Sequence, residues 1–205
     1  MKKLLIASGN SGKVDELKSM LGDLPFELMS RQDFPDLPEV EEDGESFREN
    51  ALKKARVSAS KSGLLTLADD SGLEVDHLKG RPGIHSSRYS GENADDKDNN
   101  QKLLEELKDV RDYRRTARFR CVMALVDPQN DFETTREGTC EGYILEEPRG
   151  DNGFGYDPLF LIPSYGKTLA ELEQKEKNKI SHRADAVKLM RKVLIERYTE
   201  QKEYL

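Results

Sequence analysis

Short apolar runs alternate with amphipathic runs of helical period through the first third of the chain, and this alternation limits the fold more than any other feature. Lys2 to Ser8 reads as a short strand, Gly9 to Gly12 as a turn, and Lys13 to Leu21 as a helix. The helix carries an apolar stripe of Val14, Leu17 and Leu21, and Gly22 supplies its stop. Phe26 to Ser30 is a second strand, followed by an acidic, proline-containing loop through Glu45. A second helix starts at Ser46-x-x-Glu49, where the serine hydroxyl can accept a backbone N–H three residues on, and it runs to Gly63. Leu64 to Ala68 is a third apolar strand ending on Asp69-Asp70-Ser71-Gly72, and Leu73 to Asp76 can continue as another. Strands that alternate with helices bury their apolar faces against one another, so an α/β fold is expected.

The rest of the chain adds antiparallel character. A helix is expected near Asp95 to Lys108, and Ala117, Phe119, Cys121, Met123 and Leu125 alternate with a more polar set as a half-buried strand would. The turn Asp127 to Asp131 sends the chain back antiparallel, which makes the sheet mixed. After a glycine-rich stretch, Gly153 to Pro158, comes a short strand, Leu159 to Ile162, and two helices follow, opening at Thr168-x-x-Glu171 and at Ser181. With no internal repeat or long linker, residues 1–205 are expected to form one domain or two small lobes sharing a sheet.

Composition narrows the function classes. A formal net charge of −7, with 36% charged residues, favours solubility and opposes sequence-independent binding to nucleic acid. A polyanionic ligand would therefore need a local basic pocket or a metal ion. The start, Met1 to Ala7, mimics the charged region of a signal peptide, but Ser8-Gly9-Asn10 cuts the apolar run short, and no later segment could span a membrane. Cys121 and Cys140 have neither metal-ligand nor CxxC spacing, as in a reducing, cytoplasmic compartment.

Four segments could carry chemistry. In Ser8-Gly9-Asn10-Ser11-Gly12-Lys13, a strand-to-helix turn exposes backbone N–H groups and a helix dipole that attract phosphate, and Lys13 adds charge. The spacing is not that of a Walker A loop, and an ordinary turn remains an alternative. Two acidic clusters, Glu41-Glu42-Asp43-x-Glu45 and Asp69-Asp70, offer hard oxygens suited to Mg²⁺, although the first also reads as a solvated loop. Strand alternation sends Asp69 and Asp70 to opposite faces, so one can face a site while the other caps the turn at Ser71 and Gly72. Gly153-Phe154-Gly155-Tyr156-Asp157-Pro158 sets two aromatics in a loop; with no tryptophan in the chain, stacking on a nucleobase would fall to Phe or Tyr, unless they anchor the loop to the core. Finally, Lys177, Lys179, His182 and Arg183 bring positive charge to the start of the last helix, where acidic residues are normally favoured. An anionic or carbonyl-rich ligand would explain this, as would an acidic partner elsewhere in the chain. His77 and His85 read as surface residues, and Asp95-Asp96-x-Asp98 as an acidic helix start.

Together these segments resemble the inosine triphosphate pyrophosphatase family. The matching stretches are Ser8-Gly9-Asn10-x-x-Lys13, Phe47-x-Glu49-Asn50-Ala51, Asp69 to Leu73, Pro82-Gly83-Ile84-x-Ser86-x-Arg88-Tyr89, Gly153 to Pro158, and Lys177-x-x-Ile180-Ser181-His182-Arg183. Ser8 and Ser87 depart from the commoner Thr and Ala. The resemblance implies an elongated α/β fold with a cleft between two lobes, usually in a homodimer, and hydrolysis of ITP, dITP or XTP to the monophosphate and pyrophosphate. It implies that Ser8, Gly9, Asn10, Ser11, Gly12 and Lys13 bind the triphosphate with Lys54, that Glu41 and Asp70 hold Mg²⁺, and that Asp70 activates water. It further assigns nucleotide contacts to Ser71 and Lys177, and a base pocket to Phe154, Gly155, Tyr156, Asp157, His182 and Arg183. An arginine offers only donors, so Arg183 would favour a 6-oxo purine over adenine. The alternatives are a nucleotide-binding regulator without turnover, and a pyrophosphatase for modified pyrimidine nucleotides.

Overall fold

The computed structural model describes residues 1–199. Among them a seven-stranded sheet forms from β1 (Lys2–Ile6), β2 (Phe26–Ser30), β3 (Leu65–Val75), β4 (Thr116–Asp127), β5 (Phe132–Ile144), β6 (Phe160–Ile162) and β7 (Lys167–Thr168), in the order β2-β1-β3-β4-β5-β6-β7. The α-helices are α1 (Ser11–Leu21), α2 (Phe47–Ser62), α3 (Asp96–Glu106), α4 (Gln174–Ile180) and α5 (His182–Tyr198). β1 lies parallel to β2 and β3, whereas the β5–β6 and β6–β7 pairs are antiparallel, so the fold is α/β with a mixed sheet. Parallel strands need a crossover, and α1 supplies the one from β1 to its neighbour β2, while α2 carries the chain from β2 to β3 on the other side of β1.

The residues group into two compact units, the first holding 1–70, 121–138 and the chain from 183 onward, the second 71–120 and 139–182. In the first unit, Leu4 and Ile6 of β1, Leu65 and Leu67 of β3, and Met123 and Leu125 of β4 pack with Leu17 and Leu21 of α1 and with Val187, Met190 and Leu194 of α5. Each such side chain contributes roughly 1.5–3 kcal/mol when withdrawn from water. The other crossover helix, α2, buries Phe47, Ala51, Ala55 and Ala59 at a spacing of one helical turn. The Ser46 hydroxyl accepts the Glu49 N–H at its start (3.2 Å), and Gly63, at φ +69°, closes it in the left-handed region that glycine enters without steric cost.

In the second unit, Leu73, Val75, Leu103, Leu107, Phe119, Phe160 and Leu169 form a separate core, with the Phe119 and Phe160 rings 4.7 Å apart. Arg115, buried here, donates to the carbonyls of Leu107 (2.7 Å) and Val110 (3.0 Å) and so satisfies acceptors just past the end of α3.

Four local expectations change. α1 opens at Ser11 rather than Lys13, and β4 alternates only from Thr116 to Arg120 and buries every residue from Cys121 to Leu125. β3 runs without a break from Leu65 to Val75, where sequence reading places a turn at Ser71 and Gly72. The Thr168 box does form, with its hydroxyl accepting the Glu171 N–H (3.2 Å) and the Glu171 carboxylate accepting the Thr168 N–H (2.8 Å). It opens only a three-residue 3₁₀ turn, Leu169–Glu171, because Leu172 is extended and the helix begins anew at Gln174.

Candidate active site

In the first unit the Asp69-Asp70 pair organises three helices. Strand alternation sends the two carboxylates to opposite faces of β3. Asp69 meets Lys13 of α1 (Nζ–O 3.1 Å) and Arg183 of α5 (Nε–O 3.5 Å). Asp70 meets Lys54 (3.2 Å) and the Asn50 amide (3.2 Å), both on α2. This accounts for the unbroken strand: both acids have cations or donors waiting, so neither is needed to cap a turn.

Their environments push the two acids apart. Burial would raise the Asp69 carboxyl, but the cations of Lys13, Arg183 and Lys54 outweigh it and hold that group below the usual carboxylate range. Asp70 is raised, first by burial and then by repulsion from Glu42, against the opposing pull of Lys54, Lys13 and the Asn50 hydrogen bond. Lys54 stays charged although burial disfavours its ammonium, because Asp70, Glu42 and Asp69 lie around it.

The acidic loop reaches this centre through Glu42, which pairs with Lys54. Glu41, the loop residue assigned to the metal by resemblance, is exposed. Neighbouring side chains of an extended segment diverge, so the structure brings Glu42 to Lys54 and Asp70 and leaves Glu41 toward solvent. In the Ser8 to Lys13 segment the helix opens two residues earlier than read, at Ser11: Gly9 and Asn10 are exposed, and the Asn10 side chain caps α1 by accepting the Lys13 N–H (3.0 Å). Lys13 reaches Asp69 with the same side chain that would meet phosphate.

Arg183 takes up the second explanation of its charge, an acidic partner elsewhere in the chain. It is 1% exposed and pairs with Glu16 of α1 as well as Asp69, so acidic partners within the first unit account for its charge.

The second unit holds the aromatic loop. Asp157 is its hub, accepting the Phe154 N–H (3.0 Å) and the ammonium of Lys177 (2.5 Å), while that ammonium also sits 4.6 Å from the centre of the Phe154 ring. Lys177 and Asp157 are each 2% exposed, and a buried pair of this kind fixes geometry more than it adds stability. Tyr156 turns inward and donates to the Ser86 carbonyl (2.8 Å), anchoring the loop as its core alternative requires. Ser86 in turn accepts the Leu73 N–H (2.9 Å) and donates to the Gly83 carbonyl (2.6 Å), so the Pro82 to Tyr89 stretch links the loop to β3. His182 is buried and stacks on Phe119, with ring centres 4.7 Å apart and planes 13° apart.

Sequence reasoning missed several members. Asp96 accepts the Gly155 N–H (2.6 Å) and Asn100 donates to the Gly155 carbonyl (2.8 Å), so α3 holds the peptide groups on both sides of Gly155; only the helix-start role of this acidic run was legible. Glu16, on the buried face of α1, looked like one charge among many, and Asn50 was visible only as part of a matching motif. His77 and His85 are exposed, as expected.

Comparison with known proteins gives the family of the chain. The Ham1 family pattern matches residues 4–193. A protein of Geobacter sulfurreducens named dITP/XTP pyrophosphatase is 54% identical over 93% of this chain and 96% of its own, and one of Bacillus subtilis with the same name is 49% identical over 95% and 98%. The solved structure of a HAM1 protein from Coxiella burnetii superposes with a TM-score of 0.87 at 46% identity, covering 96% of this chain and all of that one (100%). A nucleoside-triphosphatase / dITP/XTP pyrophosphatase from Mycobacterium abscessus gives 0.74 at 45%, covering 92% and 98%. With the family pattern spanning residues 4–193 and about half its residues shared with these relatives, the chain belongs to the Ham1 family.

Proposed function

We propose that this chain is a nucleoside triphosphate pyrophosphatase that hydrolyses the aberrant purine nucleotides ITP, dITP and XTP to monophosphate and pyrophosphate. The observation that carries the reading is Asp70: a carboxylate 4% exposed, raised by burial, and held between Lys54 and Asn50. A carboxylate held above its ordinary pKa and aimed by fixed partners is a stronger base for taking a proton from water than a free one. Lys13, Lys54 and the N–H groups at the mouth of α1 neutralise and orient the triphosphate, and with so little covalent work for the protein, positioning and charge account for most of the rate. Family resemblance gives the nucleoside contacts to Phe154, Lys177 and His182, while Tyr156 and Asp157 hold their loop in shape.

The residues fit Mg²⁺. That ion needs one or two carboxylates and fills its octahedron with water and phosphate, and Asp70 and Glu42 converge on one lysine. Among the described residues no group of three or more His, Cys, Asp or Glu forms a closed cage, the arrangement expected of structural zinc rather than substrate-bridging magnesium. When bound, Mg²⁺ would lower the pKa of water and neutralise phosphate charge. A homodimeric, cytoplasmic enzyme completes the proposal; no helix among the described residues is long and apolar enough to cross a membrane.

The test is a panel of nucleoside triphosphates with pyrophosphate and orthophosphate read separately. ITP, dITP and XTP should yield pyrophosphate, ATP and the common pyrimidine triphosphates should be far slower, and EDTA should stop turnover until Mg²⁺ is restored. Orthophosphate with a diphosphate as products would overturn the reaction class, and full turnover in metal-free buffer would overturn the metal.

A further inference from the structure

We infer that Asn50 is a positioning residue of this reaction: its buried carboxamide fixes the Asp70 carboxylate and ties the acidic loop that carries Glu42 to it. Asn50 is wholly buried (0% exposed) on α2, four residues before Lys54. Its two ends serve different segments. The Gly44 N–H donates to Asn50 Oδ1 (2.8 Å), and Asn50 Nδ2 donates to Asp70 Oδ2 (3.2 Å). The orientation of the amide is forced, because a backbone N–H needs the oxygen and an ionised carboxylate accepts only from the nitrogen.

Three further observations support a role in geometry. Lys54 takes the other oxygen, Asp70 Oδ1 (3.2 Å), so two neighbouring turns of α2 grip both carboxylate oxygens and remove the freedom of the group to rotate. Gly44 admits no side chain: a β-carbon there would lie 2.7 Å from Asn50 Oδ1, 2.9 Å from Glu49 Cβ and 3.2 Å from Asn50 N, so the loop closes on α2 only because residue 44 is glycine. Glu42, two residues earlier on the same loop, then meets Lys54. One amide therefore sets the place of both carboxylates. Aspartate in place of Asn50 would face Asp70 with a second acid, and an apolar residue would leave the Gly44 N–H and Asp70 Oδ2 each without this partner.

The inference rests on the reading of Asp70 as the base, and the experiment separates the two. Asn50→Leu, Asn50→Ala, Gly44→Ala and Asp70→Asn are compared with the parent for kcat and KM on ITP with saturating Mg²⁺, for melting temperature, and for hydrogen exchange of the segment from residue 39 to residue 46. Asn50→Leu keeps the volume but not the polarity. It should lose about tenfold or more in kcat, a share of the roughly 10²–10⁴ that a positioned base contributes. KM should change less than kcat, and the loop should exchange faster. Gly44→Ala should speed loop exchange and lower kcat by displacing the loop alone, which keeps the idea testable if the Asn50 variants fold poorly. If Asn50→Leu regains parental kcat whenever it regains parental melting temperature, Asn50 is only packing and the inference falls. If Asp70→Asn itself turns over like the parent, the reading of Asp70 falls instead.

Discussion

Asp69 and Asp70 are neighbours with opposite energetic roles, and replacing each by Asn should separate stability from turnover. Asp69 is 1% exposed and shared by Lys13 and Arg183. Removing one member of a buried ion pair leaves uncompensated charge and costs about 3–5 kcal/mol. For a chain of this size each kcal/mol moves the melting temperature by about 2–4 °C, so Asp69→Asn should melt roughly 6–20 °C below the parent. Asp70→Asn should melt at or above the parent at neutral pH, because burial and Glu42 already disfavour the ionised carboxyl there, and should lose kcat by a factor of about 10²–10⁴.

The pH dependence, measured in EDTA, has opposite signs at the two sites. The lowered Asp69 group contributes stability above the ordinary aspartate value, about 4, and loses it only as pH falls through its own lower pKa; the deficit of Asp69→Asn should hold down to about pH 4 and shrink below it. The raised Asp70 group burdens the native state as pH rises through its raised pKa, so any advantage of Asp70→Asn should appear above that point and vanish toward about pH 4. Calorimetry across pH, with initial rates on ITP at saturating Mg²⁺, reads both. An Asp69→Asn protein that melts with the parent but fails to turn over, beside an Asp70→Asn protein that is unstable yet active, would reverse the assignment and refute the reasoning.

Arg183→Ala should lower stability by about 3–5 kcal/mol, since the Glu16 and Asp69 carboxylates would lose their buried cation, and Arg183→Lys should restore only part of it because the planar fork is lost. If Arg183→Ala melts like the parent and loses only its preference for 6-oxo purines over ATP, Arg183 reads the base after all. Gly142→Ala would set a β-carbon 2.5 Å from the Leu161 carbonyl oxygen and 2.7 Å from the Phe160 ring, so a loss of about 1–3 kcal/mol is expected in urea unfolding. An unchanged midpoint would mean that β5 and β6 can part at that point without cost.

Much of this molecule was legible in the chain because local physics set it. The Ser46 cap, the Gly22 and Gly63 stops and the strand at Phe26 to Ser30 all appear as read, since propensity and capping point the same way there, whereas the alternation read from Ala117 to Leu125 holds only as far as Arg120, because β4 is covered on both faces from Cys121 to Leu125. The phosphate turn, the acid pair and the aromatic loop were visible as motifs because each crowds unusual residue types into a few positions. Tertiary structure decided which of those residues meet. Only folding places Glu16 against Arg183 across 167 positions of sequence, or Asp96 and Asn100 on either side of the Gly155 peptide. Only folding brings Glu42 to Lys54, and continues β3 through an Asp-Asp-Ser-Gly run whose turn propensity is overridden once both carboxylates find buried partners. Sequence by itself determined where strands and helices begin and which residues have the chemistry to serve a triphosphate, because those are short-range preferences. The pairing of charges depends on burial and on distances between segments far apart in the chain, and in a low-dielectric interior those terms outweigh local preference.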